Sequence, residues 1–291
     1  MNRVKTVALL ATLTALLMWA GQALGGAAGL WVSLGLASVM NIGAYWFSDR
    51  IVLRMNHARE MEPAEYPELH TIVRTLAWRA GLPMPRVYLI PEMTPNAFAT
   101  GRSPNHGVVA LTEGLLQMLD RREVAAVIAH ELGHIKHRDT LLMAVTATVA
   151  GALSMLAETA LWGSLFGGGS QDDEEESGGG HAWGGLMGVF VAPIIATMLQ
   201  MSISRAREFM ADAAAAQYTG DPLSLASALR KIEAYSQQLP MQVGSPAIAH
   251  LYIQNPFSAE GLAGLFRTHP PTEQRVERLI AMADGRLPMA A

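Results

Sequence analysis

Long apolar runs alternate with segments of mixed polarity along this chain of 291 residues. Two such runs open it, at residues 7–24 and 28–47, and neither contains a charged side chain. Each approaches the ~20 residues that a helix needs to cross the hydrocarbon core of a bilayer. The small residues 25–27 between them predict a tight turn joining two antiparallel transmembrane helices. A cleaved signal peptide is the alternative for the first run, because Arg3 and Lys5 precede it.

A second pair of apolar runs covers residues 141–166 and 183–203. The linker between them, at 167–180, reads GGGSQDDEEESGGG, a composition typical of a flexible acidic loop. Glu158 and Pro193 interrupt the two runs, and a packed helix bundle tolerates both. We therefore predict a second transmembrane hairpin, and the alternative is a buried hairpin of a soluble domain.

The distribution of positive charge predicts the orientation of these four helices. All 21 Lys and Arg residues lie at 3–5, 50–138 and 205–286, so the four apolar runs and both of their turns have none. Because Lys and Arg accumulate on the cytoplasmic side of membrane proteins, the three basic stretches are expected to face the cytoplasm. The turn at 25–27 and the acidic loop then face the opposite side.

The segments between the hairpins have the patterns of a folded α+β unit. Helical spacing or capping predicts five helices, and Pro, Asn and Gly turns bound three short strands. Asp120 and Glu123 have the spacing of a capping box ahead of the second of these helices. The predicted helices cover residues 66–80, a stretch after Asp120 whose apolar stripe runs from Val124 to Ile135, and residues 205–218, 223–238 and 272–283. The strands, expected in one small sheet, cover 86–90, 96–100 and 107–111.

Composition excludes several kinds of site. Charged residues make up 16% of the chain against about 25% in an average soluble domain, in keeping with lipid-facing segments. The net charge of −4 gives no electrostatic basis for nucleic-acid binding. Because cysteine is absent, any metal must be held by histidine and carboxylate side chains.

One motif indicates chemistry. His130, Glu131 and His134 form an H-E-x-x-H sequence on the predicted helix that follows Asp120. Since a helix turns ~100° per residue, positions i and i+4 share a face, and both imidazoles can reach the same metal ion. Glu131 lies beside the first ligand and can act as the general base that activates a metal-bound water. This combination is typical of zinc peptidases.

A catalytic zinc normally has three protein ligands and one open position, so a third ligand is needed. Glu208, on the predicted helix 205–218, is the candidate, and Asp212 one turn later is expected to accept a hydrogen bond from a ligand histidine. The alternative is that Glu208 is a solvated partner of Arg205 or Arg207.

Four segments together resemble the HtpX-type heat-shock endopeptidases of bacterial inner membranes, relatives of the prenyl-protein (CAAX) endopeptidases among the gluzincin metalloproteases. They are HELGHIKHRD at 130–139, SRAREFMAD at 204–212, PNAFATG at 95–101 and THPPTEQR at 268–275. The resemblance extends over nearly the whole chain, including the four apolar runs. It implies one Zn²⁺ per subunit, with His130, His134 and Glu208 as ligands and Glu131 as base.

The resemblance also implies a location and a role. The expected location is the bacterial inner membrane, with several spans and an active site facing the cytoplasm. The expected substrates are polypeptides, misfolded or damaged membrane and cytoplasmic proteins, cleaved in quality control and the stress response. Prenyl-protein processing and a non-enzymatic zinc-binding scaffold are the two alternatives. Nucleic acid is not an expected partner.

Two further residues are candidates for contact with substrate. Asn96 begins a segment, 96–99, that resembles the edge strand beside the cleft in this family, where a peptide could add by strand pairing. The alternative is a core strand. His269 could donate a hydrogen bond to the oxyanion of the tetrahedral intermediate, and the alternative is a capping or structural histidine.

The predicted fold class is thus a mainly α membrane protein with a gluzincin-like α+β zinc peptidase domain. Its four parts are the first hairpin at 1–48, a catalytic part at 49–140, the second hairpin at 141–203 and a catalytic part at 204–291. We hypothesise that the third and fourth spans continue from the two metal-binding helices and hold the active site at the membrane surface.

Overall fold

A computed structural model describes residues 2–150, 205–238, 251–253 and 270–289 of the chain. These parts are mostly helical, with one small sheet. The helices are α1 (Asn2–Met55), α2 (Pro67–Ala80), α3 (Glu113–Met118), α4 (Arg121–Lys136), α5 (Asp139–Ala150), α6 (Arg205–Thr219), α7 (Pro222–Gln238) and α8 (Thr272–Ala283), with a 3₁₀ turn at Pro104–His106. The strands are β1 (Arg59–Glu60), β2 (Arg86–Ile90), β3 (Ala97–Thr100) and β4 (Val108–Thr112).

Helix α1 is two antiparallel segments joined by a two-glycine turn. Gly25 and Gly26 leave the helical region, and Gly26 has φ 56° and ψ −143°, a conformation that a residue without Cβ adopts readily. Across the hairpin, the Asn41 amide donates to the Thr14 hydroxyl at 2.8 Å. The turn predicted at 25–27 is confirmed.

One described helical segment, Gly25–Met55, is long and apolar enough to cross a membrane, with 31 residues and a mean hydropathy of 1.5. Val4–Trp19 and Asp139–Ala150 are shorter apolar helices. The Gly25–Met55 segment presents large apolar side chains outward, including Trp31 and Val32. The rest of the second predicted hairpin, and the acidic loop at 167–180, lie outside the described residues.

The sheet has the strand order β1–β2–β4–β3. Strands β2 and β4 are parallel, with Arg86 opposite Val108, whereas β3 runs antiparallel to β4, with Ala97 opposite Leu111. Strand β3 therefore lies at one edge. The three strands predicted from sequence are confirmed within one residue at each end, while β1 and α3 were missed because they have two and six residues.

The main hydrophobic core joins the sheet to α2, α4, α6, α7 and α8. Helix α5 connects this unit to the N-terminal hairpin through two faces. Val145 and Val149 pack with Leu9 and Leu13 of α1, while Met143 and Ala147 pack with residues of β3 and β4. Helix α5 does not continue α4 as one rod, because the chain turns at His137 and Arg138, the latter with φ 58°.

Candidate metal centre

Helix α4 presents the H-E-x-x-H motif from a capped and buried helix. The Asp120 carboxylate accepts from the backbone N–H groups of Arg122 and Glu123, and the Glu123 carboxylate accepts from the N–H of Asp120, so the predicted capping box is present. All residues from Ala126 to Ile135 are buried. The candidate metal-binding residues of α4 are therefore held on a helix that cannot rotate without breaking the core.

Helix α6 crosses α4 at very short range. A Cβ added to Gly133 would lie 3.1 Å from Ala211 Cα and 3.3 Å from the Ala211 and Ala214 Cβ atoms, so the glycine and the small residues of α6 let the two backbones approach closely. This crossing brings Glu208 and Asp212 to the motif, although more than seventy positions separate them from it in the sequence.

His130, His134 and Glu208 form a buried cluster. One ligand atom from each lies within 4.8 Å of the others. The two Nε2 atoms are 3.2 Å apart, and the Glu208 carboxylate oxygens lie 3.7 Å from His130 Nε2 and 3.5 Å from His134 Nε2. Two imidazole nitrogens and a carboxylate converge on one point, which is the donor set that borderline metals such as zinc prefer.

Each histidine has its other nitrogen against a buried carboxylate. His130 Nδ1 lies 3.0 Å from Asp212 Oδ1, and His134 Nδ1 lies 3.2 Å from Asp139 Oδ2. A carboxylate at Nδ1 stabilises the tautomer with its proton on that nitrogen, leaving the Nε2 lone pair for a metal. The predicted position of Asp212 agrees with this geometry, and Asp139, the first residue of α5, has the equivalent role for His134.

Two arginines lie behind these carboxylates. The sequence did not indicate Arg275, and it suggested Arg207 only as a solvated partner of Glu208. Arg275 of α8 is fully buried and binds Asp212 through Nε and Nη2, at 3.0 and 2.7 Å. Arg207 Nη1 lies 3.6 Å from Asp139 Oδ1. Arg275 belongs to the THPPTEQR segment, but its spacing gives no sign of a contact with a residue 63 positions earlier.

Glu131 is buried beside the cluster, with 1% of its surface exposed. Burial raises the pKa of Glu131 to about 7, and the Glu208 charge adds to the rise, whereas His134, the Ala99 backbone N–H and Arg275 oppose it. A carboxylate with a pKa near neutrality can both accept and return a proton at physiological pH.

The pKa values of the two histidines are shifted in opposite directions. Burial lowers the pKa of His130 to about 4, and the positive charge of Arg275 contributes. Burial also lowers the pKa of His134, but the hydrogen bond to Asp139 and the charges of Glu208 and Glu131 outweigh it and raise that pKa to about 9. For Asp212, burial raises the pKa, and the Arg275 charge with the bonds to His130 and Arg275 reverses this into a net lowering.

Strand β3 presents one edge to the cluster. Thr112 N–H donates to Asn96 O. In an antiparallel ladder the backbone N–H and C=O groups of Asn96 and Phe98 therefore point toward β4, and those of Ala97 and Ala99 point away from the sheet. The outward N–H of Ala99 contacts Glu131.

Both outward backbone groups of Ala97 have partners within the chain. Ala97 N–H donates to the Asn96 side chain at 3.1 Å, and Ala97 O accepts from Ile253 N–H at 3.0 Å. Asn96 itself is fully buried and caps the start of the strand. The other candidate for substrate contact, His269, lies outside the described residues.

This combination of a helix-borne histidine pair, an adjacent buried glutamate and a carboxylate from a second helix defines a metal-dependent hydrolase site. Residues 63–283 match the model of Peptidase family M48, and the chain belongs to that family. It is a metallopeptidase, a hydrolase that acts on polypeptides, and its apolar helix is in keeping with membrane association.

Relatives of similar length support the same family. The chain is 50% identical over 285 residues to a "Protease HtpX homolog" of Syntrophobacter fumaroxidans, covering 97% of this chain and 99% of that protein. It is 47% identical over 288 residues to a "Protease HtpX homolog" of Methylibium petroleiphilum, covering 98% and 99%. The resemblance found in the sequence is confirmed.

A solved structure resembles the fold. The crystal structure of S. mikatae Ste24p matches with a TM-score of 0.52 at 19% identity. The match covers 96% of this chain and 65% of that one. At this identity the likeness concerns the fold alone.

Proposed function

We propose that the chain is a membrane-embedded zinc endopeptidase in which His130, His134 and Glu208 hold one Zn²⁺ and Glu131 is the general base. The observation that carries this proposal is the convergence of three buried donor atoms within 4.8 Å, with each histidine oriented by its own carboxylate. Two facing Nε2 atoms 3.2 Å apart repel each other unless a proton or a cation lies near both.

The protein's own groups supply the proton transfers. Glu131 accepts a proton from the attacking water and returns it to the leaving amine, and its pKa near 7 suits both steps. Zinc held here would polarise the scissile carbonyl and lower the pKa of the attacking water. Burial of the cluster lowers the local dielectric, which strengthens every charge interaction in the site.

Peptide substrates would lie along β3. Its outward groups include Ala99, whose N–H contacts Glu131, so a peptide extended along this edge would pass the base. Strand pairing reads backbone groups and predicts broad specificity. At Ala97 the peptide would have to exchange with Ile253, which now donates to that carbonyl. His269 is kept as the candidate donor to the oxyanion.

The four-part organisation remains our proposal for the membrane. Hairpins at 1–48 and 141–203 would supply four spans in a gluzincin-like enzyme of the bacterial inner membrane, with catalytic parts 49–140 and 204–291 facing the cytoplasm. The exposed apolar surface of Gly25–Met55 and the packing of α5 on α1 support it. A site so close to the bilayer would favour misfolded or damaged membrane proteins, alongside cytoplasmic ones, as substrates.

A substitution of Glu131 that keeps the metal site intact tests the role of this residue as the general base. We expect Glu131→Gln to keep one zinc per chain and to abolish cleavage of casein, measured with and without chelator and with zinc added back. Glu277→Gln, an exposed glutamate on α8, is the matched control and should cleave normally. Near-normal turnover by Glu131→Gln would refute the role of this residue.

Cysteine labelling tests the topology, because the chain has no cysteine of its own. We expect Ser170→Cys, in the acidic loop, to react with a membrane-impermeant maleimide from the periplasmic face of intact spheroplasts. Glu65→Cys, exposed in the first catalytic part, should react only after permeabilisation. Equal protection of both residues would contradict the second transmembrane hairpin.

A further inference from the structure

Arg275 is the largest fully buried side chain in the described part of the protein. Arginine is almost never buried completely unless its charge is paired, because removing a guanidinium from water is expensive. It comes from the C-terminal helix α8, far in sequence from the metal-binding motif. The metal mechanism described above does not use it.

The contacts of Arg275 converge on the metal centre. Nε and Nη2 form a two-pronged contact with both oxygens of Asp212, at 3.0 and 2.7 Å. Asp212 Oδ1, which receives the shorter bond, is also the oxygen 3.0 Å from His130 Nδ1. Nη1 lies 3.8 Å from Glu208 Oε2 and donates to Ile253 O at 3.1 Å. One guanidinium therefore contacts the carboxylate partner of His130, the candidate ligand Glu208 and the segment that is hydrogen-bonded to β3.

The guanidinium also lies against the imidazole itself. Nη2 of Arg275 is 3.4 Å from His130 Nδ1 and 3.5 Å from its Nε2. The arginine thus holds the carboxylate in place, and the carboxylate orients the imidazole through Nδ1.

We propose that Arg275 is a positioning residue of the metal centre, which fixes Asp212 against His130 Nδ1 and so holds the imidazole with Nε2 turned toward the metal. This inference rests on the proposed zinc site. A lysine cannot replace the arginine, because a single ammonium cannot hold both carboxylate oxygens in one plane and also reach Ile253 O.

The experiment measures metal binding by the full-length chain in detergent, apart from activity. Zinc affinity is obtained by competition with a chromophoric chelator, and the Co²⁺-substituted protein gives a visible spectrum that reports ligand geometry. We expect Arg275→Gln to lower zinc affinity by about 10–100-fold and to change the cobalt spectrum, as loss of the groups that orient ligands does. Arg275→Lys should recover only part of the loss.

Arg278→Gln provides the matched control. It removes the same charge from the same helix, where Arg278 is exposed and lies over the Phe209 ring at 4.5 Å. We expect it to leave zinc affinity and the cobalt spectrum unchanged. Asp212→Asn added to Arg275→Gln should cost little more than either change alone, because the two residues act on His130 as one unit.

Two results would overturn the proposal. One is zinc affinity within twofold of the unmodified chain, with an unchanged cobalt spectrum, for Arg275→Gln. If that variant does not fold, Arg275→Lys decides in the same way, since it keeps the charge and loses the planar contact. His130→Ala separates the two levels of inference: if it also leaves zinc binding intact, the metal site itself is wrong, and if it abolishes binding, only the role of Arg275 fails.

Discussion

The two histidines of the candidate centre are supported from different parts of the molecule. His130 is held by Asp212 of α6 and, behind it, Arg275 of α8, all of them sealed in the core. His134 is held by Asp139, the first residue of α5, and behind it by Arg207, whose side chain keeps 14% of its surface exposed. We call these the His130 arm and the His134 arm.

The difference shows how one metal site can be attached to two structural units. The His130 arm connects the site to the helical core, through Asp212 of α6 and Arg275 of α8. The His134 arm connects the site, through Asp139, to α5, the helix that packs on the N-terminal apolar hairpin. Disturbance of the C-terminal helix should therefore act through His130, and disturbance of the apolar hairpin through His134.

The largest effect should come from removing either histidine. We expect His130→Ala and His134→Ala each to abolish stoichiometric zinc binding and peptide hydrolysis, because two ligands hold a catalytic zinc poorly. Metal content after gel filtration and casein cleavage are the measurements. If either variant kept one tightly bound zinc, His130 and His134 would not bind the same ion.

Removal of the charge from each carboxylate should separate the arms. We expect Asp212→Asn and Asp139→Asn each to weaken zinc binding by about 10–100-fold. The larger loss should follow Asp212→Asn, because it leaves Arg275 as a buried charge without its two-pronged partner. Competition with a chelator gives the affinities. Equal losses of zinc affinity in the two variants would contradict the distinction between the buried His130 arm and the partly exposed His134 arm.

The spacing between α4 and α6 should matter to both arms at once. A Cβ at Gly133 would lie 3.1 Å from Ala211 Cα, so Gly133→Ala must push the helices apart. We expect a loss of about 1–3 kcal/mol in the free energy of unfolding, as in other overpacked cores. Thermal unfolding of the metal-free protein measures it, and an unchanged Tm would show that the crossing can yield.

The smallest effect should come from a neighbour of the His134 arm. Thr140 donates to Gly101 O at 2.8 Å, and Thr140→Val keeps the shape while losing the bond. We expect a loss of about 1 kcal/mol in the free energy of unfolding and no change in zinc affinity. If Thr140→Val lowered zinc affinity as much as Asp139→Asn does, the His134 arm would be sensitive to any loosening of α5.

Sequence reasoning found those parts of the site that have a local signature. The motif on α4 repeats at the helical period, and its capping box lies within four residues, so both can be read from neighbouring positions. The strands have boundaries marked by Pro, Asn and Gly. Helices α7 and α8 were predicted to within one residue for the same reason.

Contacts between distant segments gave no such signal. The hydrogen bond that Ile253 N–H donates to Ala97 O, for example, joins segments more than 150 residues apart and leaves no periodicity to detect. The hypothesis that the third span continues from α4 overlooked the two-residue break at His137 and Arg138. Arg138 has a positive φ, which an arginine in a sequence does not indicate.

The sequence by itself determined the chemistry of this protein: two imidazoles one helical turn apart, a glutamate beside them, no cysteine to compete, and apolar runs too long for an ordinary core. Those features depend on the helical repeat and on side-chain chemistry, which are local. Only the tertiary structure decided which groups stand behind each histidine. That choice depends on how α5, α6 and α8 pack around α4, and buried charges such as Arg275 are identified by the partners that packing gives them.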